Sequence, residues 1–282
     1  MATNFANPPR LRPKKSLGQN FLQDDNIARK IAAAIAPRAD DVVLEIGPGE
    51  GAMTKHLAGK SRRVVVVDID QRATERIREI YPAGEVEILN RDFLELDLTA
   101  ISEAKNHRLR IVGNIPYNIT SPILFHVLDH RNTVADATLM MQKEVARRLV
   151  AVPNTKDYGI LAVFCQLFSD VQLLFDVSPN AFYPKPKVTS SLVRLSLLPS
   201  PRFKIVDEEF FRRMVRSVFG KRRKTLRNSL SYFLEEENIA TLPASIANEL
   251  QRRPENLALK ELVDLSNALN SHQIHPASHQ TS

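Results

Sequence analysis

The sequence predicts an α/β fold, a doubly wound and mostly parallel sheet followed by a small all-helical C-terminal domain. Three observations carry that reading. Short β-branched runs alternate with helical patterns from Val42 to Met141, as in parallel strands joined by crossover helices. A glycine-rich turn, Gly47-Pro48-Gly49-Glu50-Gly51, directly follows the first of these runs. Beyond Pro199-Ser200-Pro201 only amphipathic helical patterns remain.

Taken in order, residues 1–15 hold three prolines and no periodicity, which predicts a flexible basic arm. A helix is expected over Asp25–Ala36, capped by Asp24 and ended by Pro37. Val42–Ile46 reads as a buried strand, Ala52–Ala58 as a helix, Val64–Asp68 as a strand and Gln71–Ile80 as a helix. Val86–Asn90 and Leu109–Val112 follow as strands, Ser121–Leu128 as a helix and Ala137–Met141 as extended chain. Lys143–Ala151 and Ile160–Phe168 read as helical, and Val171–Asp176 with Val188–Leu197 as an antiparallel pair at one edge. Helices near 207–219, 225–235, 243–250 and 259–269 complete the chain. The expected division is an arm (1–15), a sheet domain (16–199), a helical domain (202–270) and a disordered tail (271–282).

Hydrophobic residues make up 43 % of the 282 residues and charged residues 25 %, as in an average globular protein. No apolar run approaches the roughly 20 residues needed to span a bilayer, and no apolar stretch backs the basic N-terminus as in a secretory signal. One cysteine, Cys165, excludes an internal disulfide framework and a cysteine-based zinc site. The expectation is a soluble cytoplasmic protein, a monomer, with no metal and no membrane partner. The formal net charge is +7, which favours a polyanionic partner. Distribution weighs more than the total. Arg212, Arg213, Arg216, Lys221, Arg222, Arg223, Lys224 and Arg227 lie in one stretch without Asp or Glu, and Arg10, Arg12, Lys14 and Lys15 form a second cluster. Two separated basic clusters favour nucleic acid over an acidic small molecule.

Glu45-Ile46-Gly47-Pro48-Gly49-Glu50-Gly51 follows a strand and opens a helix, so its backbone can approach a ligand closely. A dinucleotide site needs Gly-x-Gly-x-x-Gly, and here the third glycine falls one residue early. Asp68 ends the next strand, placed to accept from ribose hydroxyls in either a nicotinamide or an adenosylmethionine site. Asp92 ends the third strand at the same sheet edge, where a carboxylate can accept from an adenine amine and Phe93 can lie against the ring. Taken alone, Asp92 is also an ordinary turn or helix-cap residue. No phosphate-binding lysine follows the glycines, so S-adenosylmethionine is preferred to a nucleotide.

The fourth strand delivers Gly113-Asn114-Ile115-Pro116-Tyr117 to that edge. An exocyclic adenine amine is a poor nucleophile because its lone pair is delocalised into the ring. Acceptance of its two N–H protons by the Asn114 side-chain oxygen and a backbone carbonyl, Ile115 or Pro116, favours a pyramidal nitrogen. Pro116 fixes the turn and removes a competing donor, and positioning supplies much of the acceleration. No strong base is needed, since the methylated cationic amine is acidic enough to lose its proton to water. Tyr117 can stack on an extruded base, an interaction of about 1–3 kcal/mol. Phe182-Tyr183-Pro184-Lys185-Pro186-Lys187-Val188 suits a rigid lip, with Phe182 covering the other face of the base. The bland alternative is an edge hairpin with one buried aromatic and two solvated lysines.

These segments resemble the ribosomal small-subunit RNA adenine dimethyltransferase family from about Lys14 to Leu269. The resemblance is carried by Lys15–Leu22, Glu45–Gly51, Asn114–Pro122, Met141–Ala146, Phe182–Val188 and Arg222–Asn228. It implies transfer of two methyl groups from S-adenosylmethionine to each of two adjacent adenines near the 3′ end of small-subunit RNA, in a pre-ribosomal particle, with a role in ribosome assembly left open. It further implies a Rossmann-like class I methyltransferase fold in which Asn20, Leu22, Gly47, Asp68, Asp92 and Asn114 contact the cofactor, with Gln19–Leu22 as a lid. Lys14, Lys15, Arg222, Arg223, Lys224 and Arg227 are then expected to face RNA. The family often has Glu where this chain has Asp68. Two rivals stand beside this reading, a related large-subunit adenine methyltransferase and a non-catalytic assembly or transcription factor on the same fold.

Overall fold

The structure, a computed structural model, describes residues 10–234, 246 and 249–271. Contacts divide the chain into two compact units, one of residues up to Ala146 together with Asp170–Leu197, the other of Arg147–Ser169 together with Leu198 onward. The helix at 160–168, expected with the sheet, thus belongs to the helical unit.

The first unit is built on a seven-stranded sheet. Its strands are β2 (Val42–Ile46), β3 (Arg63–Val67), β4 (Val86–Leu89), β5 (Leu109–Asn114), β6 (Val134–Gln142), β7 (Ser169–Val177) and β9 (Ser190–Leu197). The order across the sheet is β4-β3-β2-β5-β6-β9-β7. The pairs β4/β3, β3/β2, β2/β5 and β5/β6 are parallel, and β6/β9 is antiparallel. The late pair differs from expectation in one respect: β9 lies inside the sheet beside β6, and only β7 takes the edge. Two short strands, β1 (Phe21–Leu22) and β8 (Phe182–Tyr183), pair antiparallel in a separate ribbon.

The order reverses between β2 and β5. The chain steps outward from β2 to β3 and β4, then returns to the other side of β2, and a crevice opens at the carboxyl ends of such strands. Ile46 stands opposite Gly113 in the register. The strands approach so closely there that a Cβ on Gly113 would lie 2.7 Å from the Ile46 carbonyl oxygen.

Helices α1 (Asp25–Ile35), α2 (Thr54–Leu57), α3 (Gln71–Ile80), α4 (Leu98–Lys105) and α5 (Thr120–Asp129) flank the sheet, and α6 (Lys143–Leu149) straddles the unit border. Asp24 caps α1 as expected, accepting from the amides of Asn26 and Ile27. The apolar face of α1, Ala28, Ile31 and Ile35, is buried in one cluster with Val43, Val64 and Val112. Each such Val or Ile contributes about 1.5–3 kcal/mol relative to exposure. Arg110, a buried cation of β5, is held by Asp41 at 2.5 Å and Asp136 at 2.8 Å and by the carbonyls of Ile35 and Ala36, so its burial leaves no orphaned charge.

The second unit contains α7 (Ile160–Phe168), α8 (Glu208–Gly220), α9 (Leu226–Leu230) and α10 (Leu259–Ser271). Phe211 of α8 meets Phe164 edge-on at 6.0 Å, and Tyr158 meets Phe219 at 5.8 Å. The helix expected near 243–250 falls largely outside the described residues, as does the tail from 272. Cys165 is buried, and burial pushes its thiol up to about 12.

Candidate active site

Four consecutive strand ends meet at the crevice. After β2 the chain turns through Gly47 and Gly49 at φ of 65° and 55°, values a side chain resists. The Gly47 amide donates to the Val67 carbonyl at 2.9 Å, and the Gly51 amide closes the turn on the Pro48 carbonyl at 2.8 Å. The Phe21 ring packs so tightly here that a Cβ on Gly49 would lie 2.8 Å from it. Asp68 follows β3 and accepts from the Asp70 amide at 2.8 Å. Asp92 follows β4, and its Oδ1 accepts from the Leu94 amide at 2.9 Å. It therefore caps a short 3₁₀ turn and lines the cavity as well; the two readings of Asp92 were not exclusive.

Asn114 ends β5. Its Nδ2 donates to the Asn20 carbonyl at 2.7 Å. Because a carbonyl only accepts, this contact fixes the amide orientation and leaves Oδ1 as an acceptor. The Tyr117 hydroxyl lies 2.7 Å from Ser190 Oγ at the start of β9, so the ring is anchored at its far end. The Pro116 carbonyl already receives the Ile119 amide and the Thr120 hydroxyl, both at 3.3 Å.

These groups surround a cavity of about 220 Å³. Asn20, Leu22, Gly47, Asp68, Asp92, Asn114, Pro116 and Tyr117, all singled out from the sequence, line it together. Two carboxyls that line it are harder to ionise than usual. Burial pushes Glu45 up to about 7 against the stabilising 2.7 Å hydrogen bond from Thr54, and the neighbouring Asp68 adds to the rise. Burial likewise pushes Asp68 up to about 6. Desolvated carboxyls in this state gain from a cationic ligand.

The N-terminal segment forms the cavity's outer wall. Asp70 receives the Lys14 ammonium at 3.2 Å, the Gln19 amide at 2.9 Å and the Arg72 guanidinium at 2.6 Å. Arg72 above all holds this carboxyl well below the usual range. Arg72 also donates to the Arg12 carbonyl at 3.0 Å, and the Leu11 amide donates to Glu50 at 2.9 Å. Residues 10–15 are thus tethered where a flexible arm was expected; residues 1–9 lie outside the described ones. Lys14 and Lys15, both expected RNA contacts, are exposed, and Lys14 shares its charge with Asp70.

Other expectations need correction. Phe182 is only 5 % exposed, packs in the apolar cluster of α1 and β2 beside Leu22, and is not itself among the residues lining the cavity. Side chains alternate along a strand, and with Phe182 facing inward it is Tyr183 that faces out. Phe93 is buried edge-on against His126, with ring centres 5.2 Å apart. The apolar wall beside Asp68 is instead Ile69, 57 % exposed and lining the cavity. The sequence reading passed over Ile69, Glu45 as a partner, and Ser190. Ile69 was signalled by its place one residue after a strand-end acid; Ser190 carries no local signal.

Within the second unit the basic stretch divides. The Arg222 guanidinium donates to the Lys156 carbonyl at 2.9 Å and faces Glu255 at 3.8 Å, so it ties the unit together. Arg223, Lys224 and Arg227 are exposed, and Lys224 donates to the Tyr232 hydroxyl at 2.6 Å. Among the described residues no cluster of His, Cys, Asp or Glu is arranged to hold a metal, and no helix is long and apolar enough to cross a membrane.

Comparison with known proteins agrees with this geometry. Residues 10–270 match the family model described as ribosomal RNA adenine dimethylase. A Ribosomal RNA small subunit methyltransferase A of Francisella tularensis subsp. novicida is 40 % identical over 260 residues, covering 92 % of this chain and 98 % of the relative. A dimethyladenosine transferase from Plasmodium falciparum superposes with a TM-score of 0.76 at 26 % identity, covering 90 % of this chain and 99 % of the other. The 23S rRNA methyltransferase ErmE superposes with a TM-score of 0.63 at 30 % identity, covering 87 % of this chain and all of the other (100 %).

Proposed function

This chain belongs to the ribosomal RNA adenine dimethylase family, and on that premise we propose that it dimethylates the exocyclic amines of two adjacent adenines near the 3′ end of small-subunit ribosomal RNA. It is an S-adenosylmethionine-dependent rRNA adenine dimethyltransferase on a Rossmann-like class I methyltransferase fold. The choice of small-subunit RNA is supported by the relatives of 40 % identity that carry that description.

The residues present suit the methyl donor. Asp68 and Asp92 offer acceptors for ribose and adenine, Gly47 brings backbone close, Ile69 offers an apolar face, and the underionised Glu45 and Asp68 favour a cation. When bound, S-adenosylmethionine supplies an electrophilic methyl group on a sulfonium.

The chain's own part is to present the amine. The observation that carries this reading is the Asn114 side chain, whose Nδ2 is committed to Asn20 and whose Oδ1 is left to accept one amine proton. The second acceptor is the Ile115 carbonyl, because that of Pro116 is already engaged. Two accepted protons make the nitrogen more pyramidal and aim its lone pair, so the gain comes from positioning and local electrostatics. Tyr117, held by Ser190, offers its face to the base. The proton of the methylated amine leaves to water.

Exposed Lys15, Arg223, Lys224 and Arg227 are the phosphate contacts of this reading. The substrate is a pre-ribosomal particle, the enzyme acts in the cytoplasm as a monomer, and the segment 202–270 serves RNA binding. A tritiated-methyl assay on separated ribosomal subunits tests the target. Label in the small-subunit particle is expected; label only in free large-subunit RNA would replace this reading with the large-subunit one.

A further inference from the structure

We propose that the segment Tyr183–Val188 is a binding subsite for the single-stranded RNA that flanks the target adenine, with Tyr183 stacking on a neighbouring unpaired base and Lys185 and Lys187 contacting the backbone. The inference rests on the RNA adenine methylation proposed above, and it assigns Tyr183 a role separate from the chemistry.

The segment is tied near both ends to residues that line the cavity. At its start Tyr183 pairs with Phe21, a lining residue of the N-terminal wall. Two residues past its end Ser190 holds the Tyr117 hydroxyl at 2.7 Å. A short chain tied to Phe21 at one end and to Tyr117 just past the other runs close to the cavity.

What it presents there is unusual for solvent. Tyr183 is 51 % exposed and Val188 43 % exposed, while Pro186 between them is buried and pins the segment down. Pro184, Lys185 and Lys187 are also exposed. Two prolines limit the conformations available, so little ordering cost remains on binding. No acidic residue lies between Val177 and Leu197. An exposed ring followed by closely spaced cations suits the way proteins hold unpaired nucleotides: stacking without base preference, and phosphate neutralisation beside it. The structure's inward turn of Phe182 makes the same point from the other side. Of the two adjacent aromatics, the outward one is the one available to a partner.

The test uses the full-length enzyme, a fluorescently labelled 12-nucleotide single-stranded RNA with one central adenine, and the unmethylated small-subunit particle. Tyr183→Ala should weaken binding of the oligonucleotide about 5- to 100-fold, and Tyr183→Phe should stay within about twofold of wild type, since the ring is kept. The double substitution Lys185→Gln/Lys187→Gln should reduce the slope of log K against log salt by about 0.7 per lost phosphate contact on a single strand. An abasic nucleotide walked along the RNA should reveal one flanking position at which removing the base weakens wild type but leaves Tyr183→Ala unchanged. Calorimetry should find cofactor affinity the same in wild type and Tyr183→Ala. Equal RNA affinity of wild type and Tyr183→Ala would overturn the subsite, and so would an abasic effect identical in both proteins or a parallel loss of cofactor binding. Failure of wild type to methylate the particle would instead remove the function proposed above, so the two failures are distinguishable.

Discussion

The strand-end cavity and the basic stretch of the second unit are both rich in polar side chains, but they are specified differently. At the cavity each group is placed by the backbone within three residues of a strand end: Gly47 after β2, Asp68 after β3, Asp92 after β4, Asn114 at the end of β5. In the stretch Arg212–Arg227 the cationic heads lie at the ends of long flexible stems. Arg222 ends on the Lys156 carbonyl, Arg212 on Glu208 at 3.0 Å and near the rings of Phe164 and Phe168, and Arg223 in solvent. Short side chains on a fixed frame have one destination; long ones choose among partners supplied by the tertiary structure.

The sharpest way to break this contrast is to change the cavity's most constrained group. Asn114→Ala should lower turnover by about 10² to 10³-fold, the usual loss of one preorganised polar group at a reacting centre, while cofactor binding remains measurable by calorimetry. Near-normal turnover would take Asn114 out of the mechanism.

A smaller effect is expected from pH. Asp68 is raised to about 6 by burial, and its ionised form is the better acceptor and the one that attracts a cationic ligand. Cofactor affinity should therefore be full above pH 6 and fall about tenfold per unit below it, and Asp68→Asn should flatten that dependence. The sign for folding is opposite. A carboxyl raised above its unfolded value takes up a proton on folding, so its contribution to stability declines as pH rises from about 4 toward 6. Affinity that is constant from pH 5 to 7 would refute the assignment.

The finest comparison is between two adjacent arginines. Arg222→Gln should cost about 1–2 kcal/mol of stability, since it releases charged hydrogen bonds to backbone within the helical unit. Arg223→Gln should leave stability within about 0.5 kcal/mol and instead reduce the salt slope of particle binding by about 0.9. Urea unfolding and binding across a salt series separate the two; identical behaviour would erase the distinction between tie and contact.

The same contrast sets what could be read in the sequence. The parallel strands and their helices were legible because buried β-branched runs and amphipathic stripes are local patterns, and the cap at Asp24 is a local chemical one. Helix α4 was missed although Asp97 caps it: only Leu98 and Ser102 of its eight residues are buried, too few to show a stripe. The β1/β8 ribbon, two residues on each side, has no periodicity, and its partners lie 162 positions apart at Phe21 and Tyr183. The site's strand ends were legible as chemistry. The burial of Phe182 was not legible, because residue type alone cannot say which of two adjacent aromatics a two-residue strand turns inward. Ser190 escaped because its role exists only once β9 is brought against Tyr117.

Position 113 shows how such a frame limits the sequences that can occupy it. A Cβ there meets not a movable side-chain tip but the carbonyl oxygen of Ile46, 2.7 Å away on the adjoining strand. Even alanine would push β5 away from β2, and with it the spacing between Asn114 and the glycine turn. In a saturation library scored for methylation, position 113 should therefore accept no other residue, while Gly220, with open space around it and no positive φ, should accept many. The segment proposed to present the amine thus depends on a side chain that must stay absent one residue before it.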